Sequence, residues 1–233
     1  MALKPQVRSC MLGRLKRFLN VVTMAAVLST HPHAGASDEL TAHSDAEDLS
    51  TWQHKDGRRP IAWTVKNDYV EIVPGTGDIQ TVTEYQDFRL HLEFWLPYEP
   101  DHRGQARANS GIYLQGLYEL QILDSSDTPE LTSQVCGALY KQVPPLVKAC
   151  KGPLTWQTYD VDFRAPRVDQ NNQVITAGEL TAWLNGELIL DKVPITKPTG
   201  AAGRDIQRGV GPIRLQDHGS LVRFRNVVII PRH

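Results

Sequence analysis

The sequence lacks the marks of a membrane-spanning or nucleic-acid-binding protein. Beyond the N-terminal region, no apolar run reaches the roughly 18 residues that a spanning helix needs. The charge is almost balanced, with 25 Lys and Arg against 26 Asp and Glu, so no basic surface for nucleic acid is predicted. What remains is a chain of ordinary globular composition, 233 residues long and 41% hydrophobic.

Residues 1–36 predict a cleaved secretory signal peptide. Their five basic side chains all lie before a short apolar run, "FLNVVTMAAVLST" (18–30), and Ala34-Gly35-Ala36 supplies small residues for cleavage after Ala36. Cleavage leaves 20 basic and 26 acidic residues, a net charge of −6. We therefore expect a secreted or periplasmic protein with a flexible lead-in at 37–50 and one domain at 51–233.

Cysteine is also scarce, and two of the three cysteines remain after this cleavage. In an oxidising compartment Cys136 and Cys150 are predicted to form a disulfide, with two buried free thiols as the alternative. The disulfide would close a 15-residue loop that contains Pro144-Pro145. Such a closure stabilises a fold by roughly 3 kcal/mol in the chain-entropy model.

Helical periodicity is absent from the rest of the chain, which breaks into short alternating segments separated by turns. The clearest are "FRLHLEFWL" (88–96), "SGIYLQ" (110–115), "YELQILD" (118–124) and "VRFRNVVII" (222–230). Asn185-Gly186 in "LNGE" is typical of a two-residue hairpin turn. The pattern predicts an all-β fold, a sandwich or a barrel.

Strand alternation predicts a row of polar and aromatic side chains that face away from the core. Arginine, amides and aromatic rings are the groups that bind sugar hydroxyls and stack on pyranose rings. The alternative is the solvated face of a sandwich. The row contains His91, Glu93, Trp95, Tyr113, Gln115, Glu119, Gln121, Arg214 and Gln216.

The segments "NSGIYLQGLYELQILDS" (109–125) and "GPIRLQDHGSLVRFRNVVIIP" (211–231) form a combination that is specific. With three further segments, they resemble the 3-keto-disaccharide hydrolase domain family over about residues 50–232. The resemblance implies a concanavalin A-like jelly-roll sandwich of two antiparallel sheets, and hydrolysis of glycosides that are oxidised at C3 of the sugar. Glucanases with that fold carry Glu-x-Asp-x-x-Glu or Glu-x-Asp-x-Glu on one strand. Here Gln121 stands in place of the central Asp, and Asp124 falls on the face opposite to Glu119 in a regular strand, so the pattern of an ordinary retaining glucanase is absent. The three further segments are "CGALYK" (136–141), "WQTYDVDFRAP" (156–166) and "AWLNGELILD" (182–191).

A 3-keto sugar permits cleavage without a carboxylate nucleophile. The ketone acidifies the C2 proton, its removal gives an enolate that expels the group at C1, and water then adds. This route needs a base, a stabiliser of the enolate oxygen and an acid. We assign Glu119 or Glu93 as the base, Gln121 and Arg214 as stabilisers, and His218 as a proton shuttle.

Some assignments stay open. Glu93, Trp95, Tyr113, Gln115, Arg214 and Gln216 are expected to bind substrate. Asp217 either orients His218 or, with Gly219, only forms a tight turn. A non-catalytic carbohydrate-binding domain is the alternative function. No cofactor is predicted; a divalent metal is left open, and residues 167–172, "RVDQNN", are the weak candidate for calcium.

Overall fold

The computed structural model describes residues 49–200 and 206–232, and the backbone of residues 42–44. The predicted signal peptide lies outside the described residues. Two short 3-10 helices span Leu49–Thr51 and Gly104–Ala106. The strands are β1 (Ala42–Ser44), β2 (Trp52–His54), β3 (Thr64–Val65), β4 (Val70–Glu71), β5 (Ile79–Thr81), β6 (Asp87–Trp95), β7 (Asn109–Leu114), β8 (Tyr118–Leu123), β9 (Trp156–Arg164), β10 (Arg167–Val168), β11 (Val174–Thr176), β12 (Gly178–Leu184), β13 (Glu187–Ile195), β14 (Arg214–Leu215) and β15 (Arg223–Arg232).

Two antiparallel sheets form the fold, as predicted. The eight-stranded sheet has the order β13-β12-β9-β6-β15-β4-β3, and β1 pairs with β15 beside it. The five-stranded sheet has the order β2-β5-β14-β7-β8, and β10 and β11 form a separate ribbon. The fold is therefore an all-β jelly-roll sandwich. Within the predicted lead-in, residues 42–44 form β1; the domain boundaries stay a prediction.

The core lies between the two sheets and follows the alternation of the sequence. In β6, Phe88, Leu90, Leu92 and Phe94 are at most 2% exposed. Burial of each such side chain contributes about 1.5–3 kcal/mol relative to exposure. Tyr159 of β9 connects the sheets, since its hydroxyl donates a hydrogen bond to a backbone carbonyl of β8 at 2.7 Å. This hydrogen bond sets the distance between β8 and β9 across the core.

The predicted hairpin between β12 and β13 is present. Asn185 and Gly186 both have positive φ, 54° and 84°, as a type I′ turn requires. The Asn185 side chain also accepts a hydrogen bond from the Thr158 amide at 3.1 Å, so the turn is tied to β9.

The segment 136–150 runs along β8 at the edge of the five-stranded sheet. Gln121 N–H donates to the Ala138 carbonyl at 3.0 Å, and Tyr140 N–H donates to the Glu119 carbonyl at 2.9 Å. Cys136 and Cys150 are free thiols, so the predicted disulfide is not formed in this structure. The two thiols are nevertheless neighbours, each close enough to hydrogen-bond the other.

No helix in the described part of the chain is long and apolar enough to cross a membrane.

Candidate active site

One row of side chains crosses the outer face of the five-stranded sheet, and each member lies directly opposite the next. The row runs through Gln53, Gln80, Arg214, Tyr113 and Glu119, one from each strand. Directly opposite residues have Cβ atoms about 4.5–5.5 Å apart. The pairing therefore places a guanidinium, a phenol and a carboxylate side by side.

Glu119 is the buried carboxylate of this row. Its neighbours Leu120 and Ile122 anchor β8 in the core, and Glu119 itself is 2% exposed. Burial raises the pKa of Glu119 to about 7, although the Tyr113 hydroxyl and the positive charge of Arg214 oppose the rise. Its Oε2 atom has no hydrogen-bond partner among the described residues. A carboxyl with this pKa populates both protonation states near neutral pH, as an acid–base catalyst requires.

Gly111 of β7 makes room for this carboxylate. A Cβ built at Gly111 would lie 2.7 Å from Glu119 Oε1 and 3.0 Å from its Cγ. Real Cβ atoms do not approach so closely, so any other residue here would displace the Glu119 side chain. The glycine in "NSGIYL" is therefore part of the site.

Tyr113 links Glu119 to Gln216 through hydrogen bonds. Its hydroxyl hydrogen-bonds to the Glu119 carboxylate, and it accepts a hydrogen bond from Gln216 Nε2 at 3.1 Å. Burial first, and then the negative charge of Glu119, raise the pKa of Tyr113 well above its ordinary value. The phenol thus stays protonated, and its O–H donates a hydrogen bond to Glu119.

Arg214 is held over Tyr113 and is adjacent to a second carboxylate. Its Cζ atom lies 4.1 Å from the centre of the Tyr113 ring, and its Nη2 donates to the Gly116 carbonyl at 2.7 Å. Its Nε lies 3.7 Å from Asp78 Oδ2, which is too long for a hydrogen bond. Lys55 Nζ is also 3.7 Å from that oxygen. Arg214 therefore presents a buried cationic donor that has no hydrogen-bond partner within the described residues.

Three buried amide oxygens belong to residues with the same outward parity as Glu119 and have no partner in the described part of the chain. They are Gln121 Oε1, Asn109 Oδ1 and Gln216 Oε1. The Gln121 and Asn109 amides are held by Gln105, through its side-chain oxygen at 3.0 Å and its carbonyl at 2.8 Å respectively. A buried polar atom without a partner costs about 1–3 kcal/mol. With Glu119 Oε2 these atoms form what we call the acceptor cluster, and sugar hydroxyls have the donors that it lacks.

A cleft of about 500 Å³ lies beside Gln80 and Arg214 of this row. This volume lies in the range of about 300–1,000 Å³ that is usual for ligand pockets. Its polar lining comprises Lys55, Gln80, Glu84, Gln115, Arg208 and Arg214.

Glu93 and Trp95 lie elsewhere, which corrects their expected place in the site. They belong to β6 in the eight-stranded sheet and face away from the five-stranded sheet. The Glu93 carboxylate binds Arg225 Nε at 2.8 Å and Asn226 Nδ2 at 2.5 Å, and Arg223 stacks on the Trp95 ring at 4.0 Å. Alternation fixes the face of a strand within its own sheet, but it does not tell which sheet the strand joins.

Gln115 has a structural role, and its assignment as a substrate ligand stays a prediction. It lies just past β7 with a φ of 52°, so its side chain leaves the alternation of the strand. Its Nε2 donates to the carbonyls of Tyr85, Gln86 and Gly209 at 3.0, 3.2 and 3.0 Å. The amide thereby ties three chain segments together at one edge of the cleft.

The polar bend after β14 is a tight turn. Asp217 accepts hydrogen bonds from the backbone amides of Gly77 at 2.9 Å and Gly219 at 3.0 Å, and Gly219 has a φ of 97°. Both Asp217 oxygens are therefore used by the backbone. His218 is exposed, so the imidazole is neither oriented by Asp217 nor part of the buried row.

Asp124, the other carboxylate near β8, is committed to an ion pair. Arg107 Nη2 lies 2.5 Å from Asp124 Oδ2, and Asp124 is 2% exposed. It therefore balances the half-buried Arg107 and is not a free partner for Glu119.

The weak calcium candidate also has a backbone role. Asp169 accepts hydrogen bonds from the amides of Asn171 at 2.8 Å and Gln173 at 2.9 Å. Residues 49–200 and 206–232 contain no group of three or more His, Cys, Asp or Glu side chains placed to hold a metal ion.

Sequence reasoning missed Asp78, Asn109, Gln105 and Gly111. Asp78 precedes β5, which is only three residues long and too short for alternation to reveal. Asp78 lies two residues before Gln80 and therefore has the same outward parity. This parity was the signal by which the sequence could have pointed to Asp78.

Comparison with known proteins gives a consistent family and fold. A family model described as a 3-keto-alpha-glucoside-1,2-lyase-like domain matches residues 39–230. A candidate glycosyl hydrolase from Parabacteroides distasonis is 34% identical, with 81% of each chain covered and a TM-score of 0.74. A second candidate glycosyl hydrolase from that organism is 20% identical over 81% of this chain and 91% of its own, with a TM-score of 0.59, and shows the fold. No curated protein matches the chain.

Proposed function

Because the chain belongs to the 3-keto-alpha-glucoside-1,2-lyase-like domain family, we propose that it is an enzyme that cleaves the glycosidic bond of 3-keto-glycosides. Its carbohydrate-active function follows from the family and from its 34% identity to a candidate glycosyl hydrolase. The observation that carries the finer proposal is Glu119, a buried carboxyl with a pKa of about 7 beside a hydrogen-bonded phenol and an unpaired guanidinium donor.

In the proposed first step Glu119, as the carboxylate, removes the C2 proton. The electron pair of the C2–H bond forms the enolate of the C3 ketone, and the C1–O bond then breaks with formation of a C1–C2 double bond. The departing oxygen takes the proton of the Tyr113 hydroxyl. Glu119 returns its new proton to Tyr113 across their hydrogen bond, so both groups end as they began.

Arg214 and Gln121 stabilise the negative charge that develops on the C3 oxygen. Arg214 Nε is a buried donor without a partner in the described region. Gln121 Nε2 donates one N–H to Gln105 Oε1, so its contribution to the enolate oxygen is its second N–H. A preorganised donor at the site of a developing anion lowers the barrier by about 2.7–4 kcal/mol in well-studied acyl-transfer sites.

Addition of water completes a net hydrolysis. The carboxylate of Glu119 takes a proton from water as the water oxygen bonds to C1, and the electron pair of the C1–C2 double bond forms the enolate again. C2 then receives that proton from Glu119. If the product leaves before this step, the enzyme acts as a lyase. Glu119 and Tyr113 are 2% and 1% exposed, so substrate binding has to displace the side chains that cover the row.

The test compares the 3-keto form and the unoxidised form of the same glucoside, with products followed by mass spectrometry. We expect cleavage of the keto form alone, and loss of deuterium from a C2-labelled substrate into solvent. Complete retention of the label during turnover would contradict the C2 abstraction.

A substitution assigns the base. We expect Glu119→Gln to fold and bind substrate but to lower kcat by at least about 100-fold, the low end for loss of a general base. Glu93→Gln is the matched control, because that glutamate lies on the other sheet in an ion pair. An active Glu119→Gln alongside an inactive His218→Ala would assign the chemistry to the turn.

A non-catalytic carbohydrate-binding domain is the second candidate. The amide oxygens of the acceptor cluster favour it, since amides bind sugars without chemistry. Under this function Glu119→Gln would keep full sugar binding, and the wild-type protein would release no product from either form of the glucoside.

We also propose that the protein is secreted or periplasmic, on the strength of the basic and apolar pattern of residues 1–36. The intact mass of the exported protein should correspond to a start near Ser37. A mass that retains Met1 would contradict the proposal.

A further inference from the structure

A second site is indicated on the outer face of the eight-stranded sheet, opposite to the sheet that carries Glu119. Val228, His91, Asp160 and Trp183 form a row there, each directly opposite the next on β15, β6, β9 and β12. Because Glu119 lies on the other sheet, a ligand on this face does not contact the proposed catalytic row.

Two adjoining depressions flank Trp183. One, of about 300 Å³, lies over β15, β6 and β9, and the other, of about 320 Å³, extends to Leu188 and Asp191 on β13. Trp183 and Asp162 border both of them. From β15 to β13 there are four strand spacings, about 19 Å in all. The two depressions thus form one groove with an indole at its centre.

Trp183 is the tryptophan on this face whose ring is not stacked. Arg223 lies 4.0 Å from the ring of Trp95, and Arg225 lies 4.0 Å from the ring of Trp156. Trp183 has no ring or cation contact of this kind with the described residues. Trp183 is half-buried, so part of its side chain stays accessible.

Polar groups beside the indole are held in fixed orientations. His91 Nδ1 and Asp160 Oδ1 are 2.7 Å apart, which leaves His91 Nε2 directed away from the carboxylate. Asp162 is held by Arg232 and lies 3.7 Å from Arg89 Nε. An apolar platform with a few oriented polar groups is the composition of a sugar-binding surface.

We propose that this groove is a second carbohydrate-binding site, which takes a neutral oligosaccharide chain with Trp183 as the stacking platform. The length of the groove favours a chain over a single sugar. Its charge favours a neutral glycan, because the lining carries three cationic side chains against four carboxylates, His91 aside. A polyanionic glycan would gain no net attraction from this lining.

The test is affinity electrophoresis of the full chain in native gels that contain dextran, soluble starch, laminarin or xyloglucan, with alginate as the anionic comparison. We expect retardation by at least one neutral polymer and none by alginate. Trp183→Ala should weaken that retardation at least about tenfold, as loss of an aromatic anchor does at other interfaces. Tyr98→Ala is the control, since Tyr98 is 60% exposed and does not line the groove.

Two further variants separate this site from the proposed function. Glu119→Gln should keep the retardation, and Trp183→Ala should keep the turnover of small 3-keto-glycosides. If Trp183→Ala unfolds, Trp183→Phe and His91→Ala replace it, with partial and strong weakening expected. A wild-type protein that cleaves no glucoside but still binds polysaccharide through Trp183 would support this site and refute the proposed enzymatic function.

Four results would overturn the site: unchanged mobility of the wild type in every gel, retardation by alginate alone, normal retardation of Trp183→Ala, or its loss in Glu119→Gln. A wild-type dimer that Trp183→Ala converts to a monomer would also overturn it, because the groove would then be an interface between copies of the chain.

Discussion

Replacing Glu119 with glutamine should change the pH dependence of the stability more than the fold. Burial raises the pKa of Glu119 from 4.5 to about 7. The folded state therefore binds the proton more tightly than the unfolded state does. The free energy of unfolding is highest below the unfolded pKa, falls as the pH rises through the window from 4.5 to about 7, and is constant above it.

The size of this loss follows from the shift. At about 1.4 kcal/mol per pKa unit, wild-type protein should lose about 3 kcal/mol of stability across the window. Glutamine has the shape of the protonated acid and does not ionise. The amide N–H groups of the glutamine include a buried donor without a hydrogen-bond partner, which costs about 1 kcal/mol at every pH. The variant should thus be slightly less stable than wild type at pH 5 and about 2 kcal/mol more stable at pH 8.

Urea unfolding at constant ionic strength, at half-unit steps from pH 5 to 8.5, measures the difference. Subtracting the wild-type curve removes the titration of the other groups. Glu93→Gln serves as the control, because its glutamate is paired with Arg225 and should give a difference of constant sign. A Glu119→Gln difference that does not vary between pH 5 and 8 would refute the buried, weakly compensated carboxyl.

Three further predictions concern the same region. Tyr113→Phe removes the hydrogen bond that lowers the pKa of Glu119, so the acid limb of the pH–rate profile should move above about 7 and kcat should fall. Gly111→Ala places a methyl group 2.7 Å from Glu119 Oε1; we expect a folded protein with severely reduced turnover and a shifted Glu119 pKa by NMR titration. Exported protein should show a two-proton mass deficit that reduction removes, since Cys136 and Cys150 are adjacent; alkylation of both thiols without reductant would contradict the disulfide.

Alternation predicts most of the fold because strand burial here is regular. Phe88, Leu90, Leu92 and Phe94 are buried as the period-two pattern requires, and the Asn185-Gly186 turn needs no information beyond its two residues. The same pattern fails at Gln115, where a left-handed φ redirects the side chain. Local sequence carries no signal for that backbone change, because the tertiary contacts of the amide stabilise it.

Only some of the residues predicted for the active site come together, and the reason is a different one. Glu119, Gln121, Tyr113, Arg214 and Gln216 come together because their strands are neighbours in one sheet. Glu93 and Trp95 have the same outward parity but lie on the other sheet, and only long-range strand pairing decides this.

The contrast between Glu93 and Glu119 supports the proposed location of the site on the five-stranded sheet. Both glutamates are outward-facing strand residues, Glu93 on β6 and Glu119 on β8. Glu93 is neutralised by Arg225 and Asn226, as a carboxylate on a purely structural face should be. Glu119 is buried without such a partner and lowers the stability of the fold at alkaline pH by about 3 kcal/mol.

A protein that needed the five-stranded sheet only for packing or for sugar binding would gain stability from glutamine at position 119. The chain instead keeps an acid there and leaves room for it with glycine at position 111. The same face of the sheet also carries buried acceptors without a hydrogen-bond partner among the described residues. Local rules of this kind are broken at functional sites and maintained elsewhere. The carboxyl at 119 is therefore better explained by proton transfer than by binding alone.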